Sequence, residues 1–144
     1  MSIEEKEIIQ QKLCYACYID NVDLVKKLLE ENSDIDLDAV HSSIGKCGIG
    51  TPLILTGIKE IGELLLNAGA SINYVLSHNE FCNFTALDSI NLTIKREEST
   101  LDIVRSCNGE AEVAKRLEKI KKYNEFRAFL ISKGAKTYEE LNNK

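Results

Sequence analysis

Apolar side chains recur along this chain at the three- and four-residue steps of amphipathic helices, and the pattern stops at corresponding places. Residues 23–36 (DLVKKLLEENSDID), 60–73 (EIGELLLNAGASIN) and 125–138 (EFRAFLISKGAKTY) superpose without gaps. Each starts with an acidic residue, continues apolar at helical spacing, and closes on Asn32, Gly69 or Gly134 one step past the expected helix end. That step calls for a left-handed backbone, which Gly and Asn enter at least cost. A second helix is predicted upstream of each copy, over residues 13–18, 52–57 and 86–93. The unit is therefore helix, tight turn, helix, Gly or Asn turn, loop. A lone pair of this kind cannot bury its apolar face, so stacking on a neighbour is required.

Local signals sharpen the helix starts. Ser2 and Glu5 have the spacing of a capping box, which predicts a helix from there through Tyr18. Thr51 precedes Pro52 as an N-cap precedes a first-turn proline. Thr85-Ala86-Leu87 repeats the Thr-x-Leu pattern of Thr51-Pro52-Leu53. In the last copy Val113, Leu117, Ile120, Tyr123, Phe126 and Leu130 keep helical spacing, so an insertion near residues 94–122 is expected to lengthen the second helix. Its start is expected after a turn at Cys107-Asn108-Gly109.

The middle copy, TPLILTG followed by EIGELLLNAGASIN, resembles the ankyrin repeat, whose signature is T-P-L-H-x-A and then a leucine-rich helix ending in GAD-V-N. Thr51, Pro52, Leu53, Leu64–Leu66, Gly69, Ala70 and Asn73 carry the match. Ala16, Leu28, Leu29 and Asp34–Asp36 carry it in the first copy, and Thr85, Leu87, Leu130, Gly134 and Ala135 in the third. The signature histidine is replaced by Ile54 and Asp88, the middle copy is shortened between Gly57 and Glu60, and the loop over residues 37–50 is longer than usual. The resemblance implies an all-α fold: a short ankyrin-type solenoid of stacked antiparallel helix pairs with an extended helical C-terminal repeat. The repeats fall near 11–50, 51–84 and 85–138 of one 1–144 domain, with atypical ends shielding the stack.

Composition agrees with helices: one proline, no tryptophan, and abundant Leu, Ile, Glu and Lys. The net charge of -5 argues against nucleic acid as a partner. It is uneven, with six Lys/Arg against fourteen Asp/Glu in residues 1–94 and twelve against nine in 95–144. MSIEEKEIIQ has no signal-peptide core and no apolar run reaches bilayer length, so neither membrane insertion nor export is expected. The five cysteines then read as reduced thiols of a cytoplasmic protein, a setting that also fits an effector delivered into a host cell.

Several groupings could carry chemistry. Cys14 and Cys17 have CxxC spacing, but mid-helix, where close helix packing is the plainer role. His41 and Cys47 in one loop, with His78 and Cys82 in the next, could converge on zinc; surface histidines and partly buried thiols are the alternative. Residues 45–51 (GKCGIGT) superficially resemble a phosphate loop, yet Lys46 comes too early and no strand precedes it. A Cys47–His41 pair lacks an orienting group and an oxyanion hole. Lys115, Arg116, Lys119, Lys121 and Lys122 form a basic run with acidic residues at pairing distance, read first as a salt-bridged solvated face and second as a contact for an acidic partner.

No catalytic residue or cofactor is therefore expected. The ankyrin resemblance implies a monomeric, non-enzymatic module that binds another protein through its concave face and the loops 38–46 and 74–81. Tyr18, His41, Lys46, Tyr74, His78 and Phe81 are the candidate contacts, aromatic and two-sided groups being enriched at binding hot spots. Tyr74 or Phe81 could instead fill the gap between repeats. The alternative function is a dedicated inhibitor of antitoxin or immunity type, its acidic face occluding a basic enzyme site. A zinc-dependent or thiol enzyme is the third class.

Overall fold

The computed structural model describes residues 2–40, 50–79, 82–107 and 109–143, and these are mostly helical. The elements are α1 (Ile3–Tyr18), α2 (Val22–Glu31), α3 (Pro52–Leu55), α4 (Lys59–Asn67), β1 (Leu76–Asn79), β2 (Cys82–Phe84), α5 (Ala86–Ser106), α6 (Glu110–Ser132) and α7 (Tyr138–Asn142). No helix among the described residues is long and apolar enough to cross a membrane. Among the described residues the strands β1 and β2 depart from an all-α chain, pairing antiparallel with Leu76 opposite Phe84 and Ser77 opposite Asn83. β1 falls within the segment expected as a plain loop over 74–81.

The helices pack in two rows. α1 lies on α3 and α3 on α5; α2 lies on α4 and α4 on α6; and within each couple α1 meets α2, α3 meets α4 and α5 meets α6. One apolar core runs between the rows. It takes Leu13, Ala16 and Cys17 from α1, Val25 and Leu28 from α2, Leu53 and Ile54 from α3, Ile61 and Leu65 from α4, Leu87, Ile90 and Ile94 from α5, and Phe126 and Leu130 from α6.

Helix starts follow the local grammar of the chain. Ser2 and Glu5 close the capping box expected at α1, and Thr85 with Asp88 and Thr137 with Glu140 close two more. The Thr51 hydroxyl accepts the Ile54 N–H above Pro52. Helix ends follow it less evenly. Gly69 (φ 109) and Gly134 (φ 91) take the left-handed position, and the N–H of the next residue reaches back to Leu65 and Leu130 respectively, the double bond pattern of a Schellman end.

Asn32 does not join them. Its φ is -135, and its side-chain amide donates to the Leu28 carbonyl instead. The left-handed residue of the first pair is Asp20 (φ 56), which ends α1 with the same two bonds, Asn21 N–H to Ala16 and Asp20 N–H to Cys17. A Cβ at Gly69 or Gly134 would meet no heavy atom within 4 Å. Gly69→Ala and Gly134→Ala are therefore expected to lower stability by about 1–2 kcal/mol each through the backbone alone. Asn32→Gly should give no gain; urea unfolding of the three variants measures the contrast.

Two expected boundaries move. α3 stops at Leu55 rather than Gly57, because Thr56 turns extended (φ -80, ψ 153) and sends its hydroxyl to Asp20. α5 runs on past Thr93 to Ser106, so the insertion lengthens both helices of the last pair and not the second alone. Cys107 and Gly109 stand between them at the expected turn. Ile94 and Leu101 are buried along this added length, and Arg116 Nη1 donates to Glu97 Oε2 across it at 2.7 Å.

Candidate interaction surface

α1 carries apolar side chains on two opposite sides. Leu13, Cys14, Ala16 and Cys17 are buried against the stack. Ile8 (52% exposed), Tyr15 (45%), Tyr18 (47%) and Ile19 (45%) face away from it. Steps of seven and four residues place Ile8, Tyr15 and Ile19 on one side of a helix, with Tyr18 beside them. Single exposed apolar residues need no explanation, but four on one outer face form a patch with two aromatics at its centre.

Of the six candidate contacts, Tyr18 is thus exposed within that patch. Tyr74 is partly buried and packs against the core, the gap-filling role. His78 lies in β1. His41, Lys46 and Phe81 lie outside the described residues, as do most of the glycine-rich segment, Cys47 and therefore half of the expected zinc set. Among the described residues no group of three or more His, Cys, Asp or Glu is placed to hold a metal.

Cys14 and Cys17 are both buried in α1. Burial, then the nearby Cys14 and Asp20, push the Cys17 thiol well above its ordinary range. A nucleophilic or redox cysteine needs the opposite environment, one that favours thiolate. The packing role is the one this geometry suits.

A polar seam, which the residue pattern does not announce, starts at Asp20 just past the end of α1. The Thr56 hydroxyl donates to Asp20 Oδ1 at 3.0 Å, and the Gly57 N–H donates to the same oxygen at 3.2 Å. The turn of the first helix pair is thereby tied to the turn of the second. Burial raises the Asp20 carboxyl, against the lowering by Gly57, Thr56 and the Lys122 charge. The Tyr123 ring of α6 covers Gly57 so closely that a Cβ there would sit 2.5 Å from Cε1. Burial, with help from Glu97 and Asp20, raises its phenol in turn. Arg116 continues the seam, bonded to Glu97 and with Nε 3.3 Å from Glu112 Oε1, an ion pair not aligned as a hydrogen bond. The available signal was the dipeptide Asp20-Asn21 directly after an apolar helix, both residues being tolerant of the left-handed region.

The loop side of the stack repeats one device. Asp38 Oδ1 accepts the Ser71 N–H at 3.0 Å, and Asn73 Oδ1 accepts the Lys136 N–H at 2.7 Å. Ser71 and Lys136 each lie two residues past a left-handed glycine, Gly69 and Gly134. A side chain in the loop after one pair thus holds the helix end of the next, twice. No protein-family model, curated protein or solved structure matches the chain.

Proposed function

We propose that the chain is a short ankyrin-type stack acting as a non-enzymatic protein–protein interaction module. The observation that carries this reading is the repeated loop bond, Asp38 to Ser71 and Asn73 to Lys136, alongside the two-row packing of helices. Bonds between neighbouring units span 33, 35, 36 and 37 residues, close to the roughly 33-residue ankyrin period. The longer spans of 61 and 63 residues cross the last pair, where both helices are extended. Units of this kind present rigid surfaces, because each is held by its neighbours rather than by itself. Tyr15, Tyr18 and Ile19 supply the two-sided and apolar contact groups on the first-helix row.

The test is affinity capture with immobilised wild type beside Tyr15→Ala/Tyr18→Ala, followed by calorimetry on the recovered partner. The double variant should melt within a few degrees of wild type, since both rings are about half exposed, yet bind at least tenfold more weakly, about 1.4 kcal/mol. Equal retention of the partner by both proteins would overturn the surface assignment, and chemical conversion of the partner would overturn the non-enzymatic reading. The acidic first 94 residues, fourteen Asp/Glu against six Lys/Arg, support the second reading, a dedicated inhibitor. A tight one-to-one complex that abolishes an enzyme activity of the partner would select it.

A further inference from the structure

α4 and α6 run side by side in the same direction. Gly57 meets Tyr123, Gly62 meets Phe126, and Asn73 bonds Gly134, so residue numbers rise together along both. α4 begins at Lys59, but α6 begins thirteen residues before Tyr123, at Glu110. About 18 Å of α6 therefore has no α4 alongside it. On this length the residues that continue the stripe of Phe126 are Lys122, Lys119 and Lys115, four, seven and eleven positions earlier.

The stripe is thus aromatic and buried where α4 covers it, and lysine and exposed where α4 is missing. Arg116, on the α5 side of the stripe, is engaged by Glu97 and Glu112. Among the described residues Lys115, Lys119 and Lys122 have no carboxylate within 4.0 Å. Tyr123 covers Gly57 in the turn of the second pair, and the neighbouring Lys122 acts at longer range on Asp20, so the Lys122 end of the ridge lies near the turns of the first two pairs.

We propose that Lys115, Lys119 and Lys122 dock an acidic helix of a partner protein, laid along the slot a longer α4 would fill. The inference rests on the reading of the chain as an interaction module, but on a different surface from the α1 patch. Three lysines at i, i+4 and i+7 are matched by carboxylates at the same spacing on a facing helix. The slot takes about three helical turns. Charge complementarity selects the sign, and the rest of the molecule selects the class of partner. A long polyanion leaving the ridge would run onto residues 1–94, where acidic groups outnumber basic ones fourteen to six. A short acidic helix ends before reaching them.

A labelled helical peptide of about fifteen residues, with Glu at i, i+4 and i+7, tests this by fluorescence anisotropy on the full chain. Wild type should bind it at least about fivefold more tightly than an isomer with the same glutamates distributed around the helix. Lys115→Glu/Lys119→Glu/Lys122→Glu should weaken binding at least about tenfold, while the charge-matched Lys26→Glu/Lys27→Glu/Lys136→Glu should retain it. All six lysines are exposed, so both variants are expected to fold, the ridge variant melting slightly lower because the Lys122 charge no longer supports the Asp20 carboxylate. Absence of peptide binding, equal binding of the two isomers, equal loss in both variants, or tighter binding of a single-stranded oligonucleotide of equal charge would each overturn the proposal. Those outcomes leave the Tyr15/Tyr18 calorimetry untouched, so failure of the ridge is distinguishable from failure of the interaction-module reading.

Discussion

Phe126→Ala is expected to destabilise the protein by about 3–5 kcal/mol, a large part of the roughly 5–15 kcal/mol available to a domain of this kind. Phe126 is 1% exposed and lies with Leu130, Ile61 and Leu65 where the second-helix row meets the last pair. Removing the ring would leave a cavity between α4 and α6, which their packed side chains would fill only in part. The ring also explains Gly62. A Cβ at that position would approach Phe126 Cε2 to 2.5 Å, in a core where the ring has no room to retreat.

Helix propensity alone would make Gly62→Ala a gain of about 1 kcal/mol. Contact with Phe126 predicts the opposite sign. Gly62→Ala should lower the urea midpoint, and Gly62→Ala/Phe126→Leu should be less damaged than the two single changes summed. Strict additivity would mean that the glycine is not there to seat the ring.

Asp20→Ala is expected to cost about 2–5 kcal/mol, from two sources. Alanine in the left-handed region loses about 1–2 kcal/mol. The Thr56 hydroxyl and the Gly57 N–H would lose their shared acceptor, adding about 1–3 kcal/mol. Asp20→Gly should recover the first part and not the second. Asp20→Asn should keep both, since asparagine tolerates the backbone and offers an amide oxygen in place of Oδ1.

The pH dependence has a definite sign. Burial raises the Asp20 carboxyl above the usual 3.8, so the folded state holds this proton more firmly than the unfolded state does. As pH rises from 3.8 through the raised value, the unfolded chain ionises first, and Asp20 costs the fold stability that is not recovered at higher pH. Asn at this position does not titrate. Relative to wild type, Asp20→Asn should therefore gain ground between acid and neutral pH and be no less stable at neutrality. Urea unfolding at several pH values checks this; a relative loss on going to neutral pH would show that the two donors outweigh burial.

The candidate surface was only partly legible. Tyr18 is a candidate contact from its place near the end of the first helix, but the patch around it follows from which side of α1 the stack buries. The sequence shows apolar residues on two sides of α1 and marks Cys14, Ala16 and Cys17 for close packing, but it does not show that Ile8, Tyr15 and Ile19 stay uncovered. Tyr74 illustrates the converse: the aromatic ring stood in an expected loop, and the hairpin Leu76–Asn79 with Cys82–Phe84 sets it against the core. The lysine ridge was visible as a basic run, but not as the uncovered continuation of a packed stripe.

What the chain determined by itself is the set of features decided within about four residues. The capping box at Ser2, the Thr51-Pro52 start, the Thr85 start and the glycine ends at Gly69 and Gly134 all depend on neighbours along the helix, and all are in place. Tertiary structure decided what depends on distant partners. Asp20, at the end of α1, is left-handed and its carboxylate reaches Thr56 and Gly57, 36 and 37 residues away, while Asn32 at the end of α2 is not left-handed. α5 continues beyond Thr93 because α6 returns alongside it and pairs Arg116 with Glu97. A hydrogen bond to the next turn of a helix is written in the spacing of residues, whereas a hydrogen bond to the next repeat exists only after the repeats have packed.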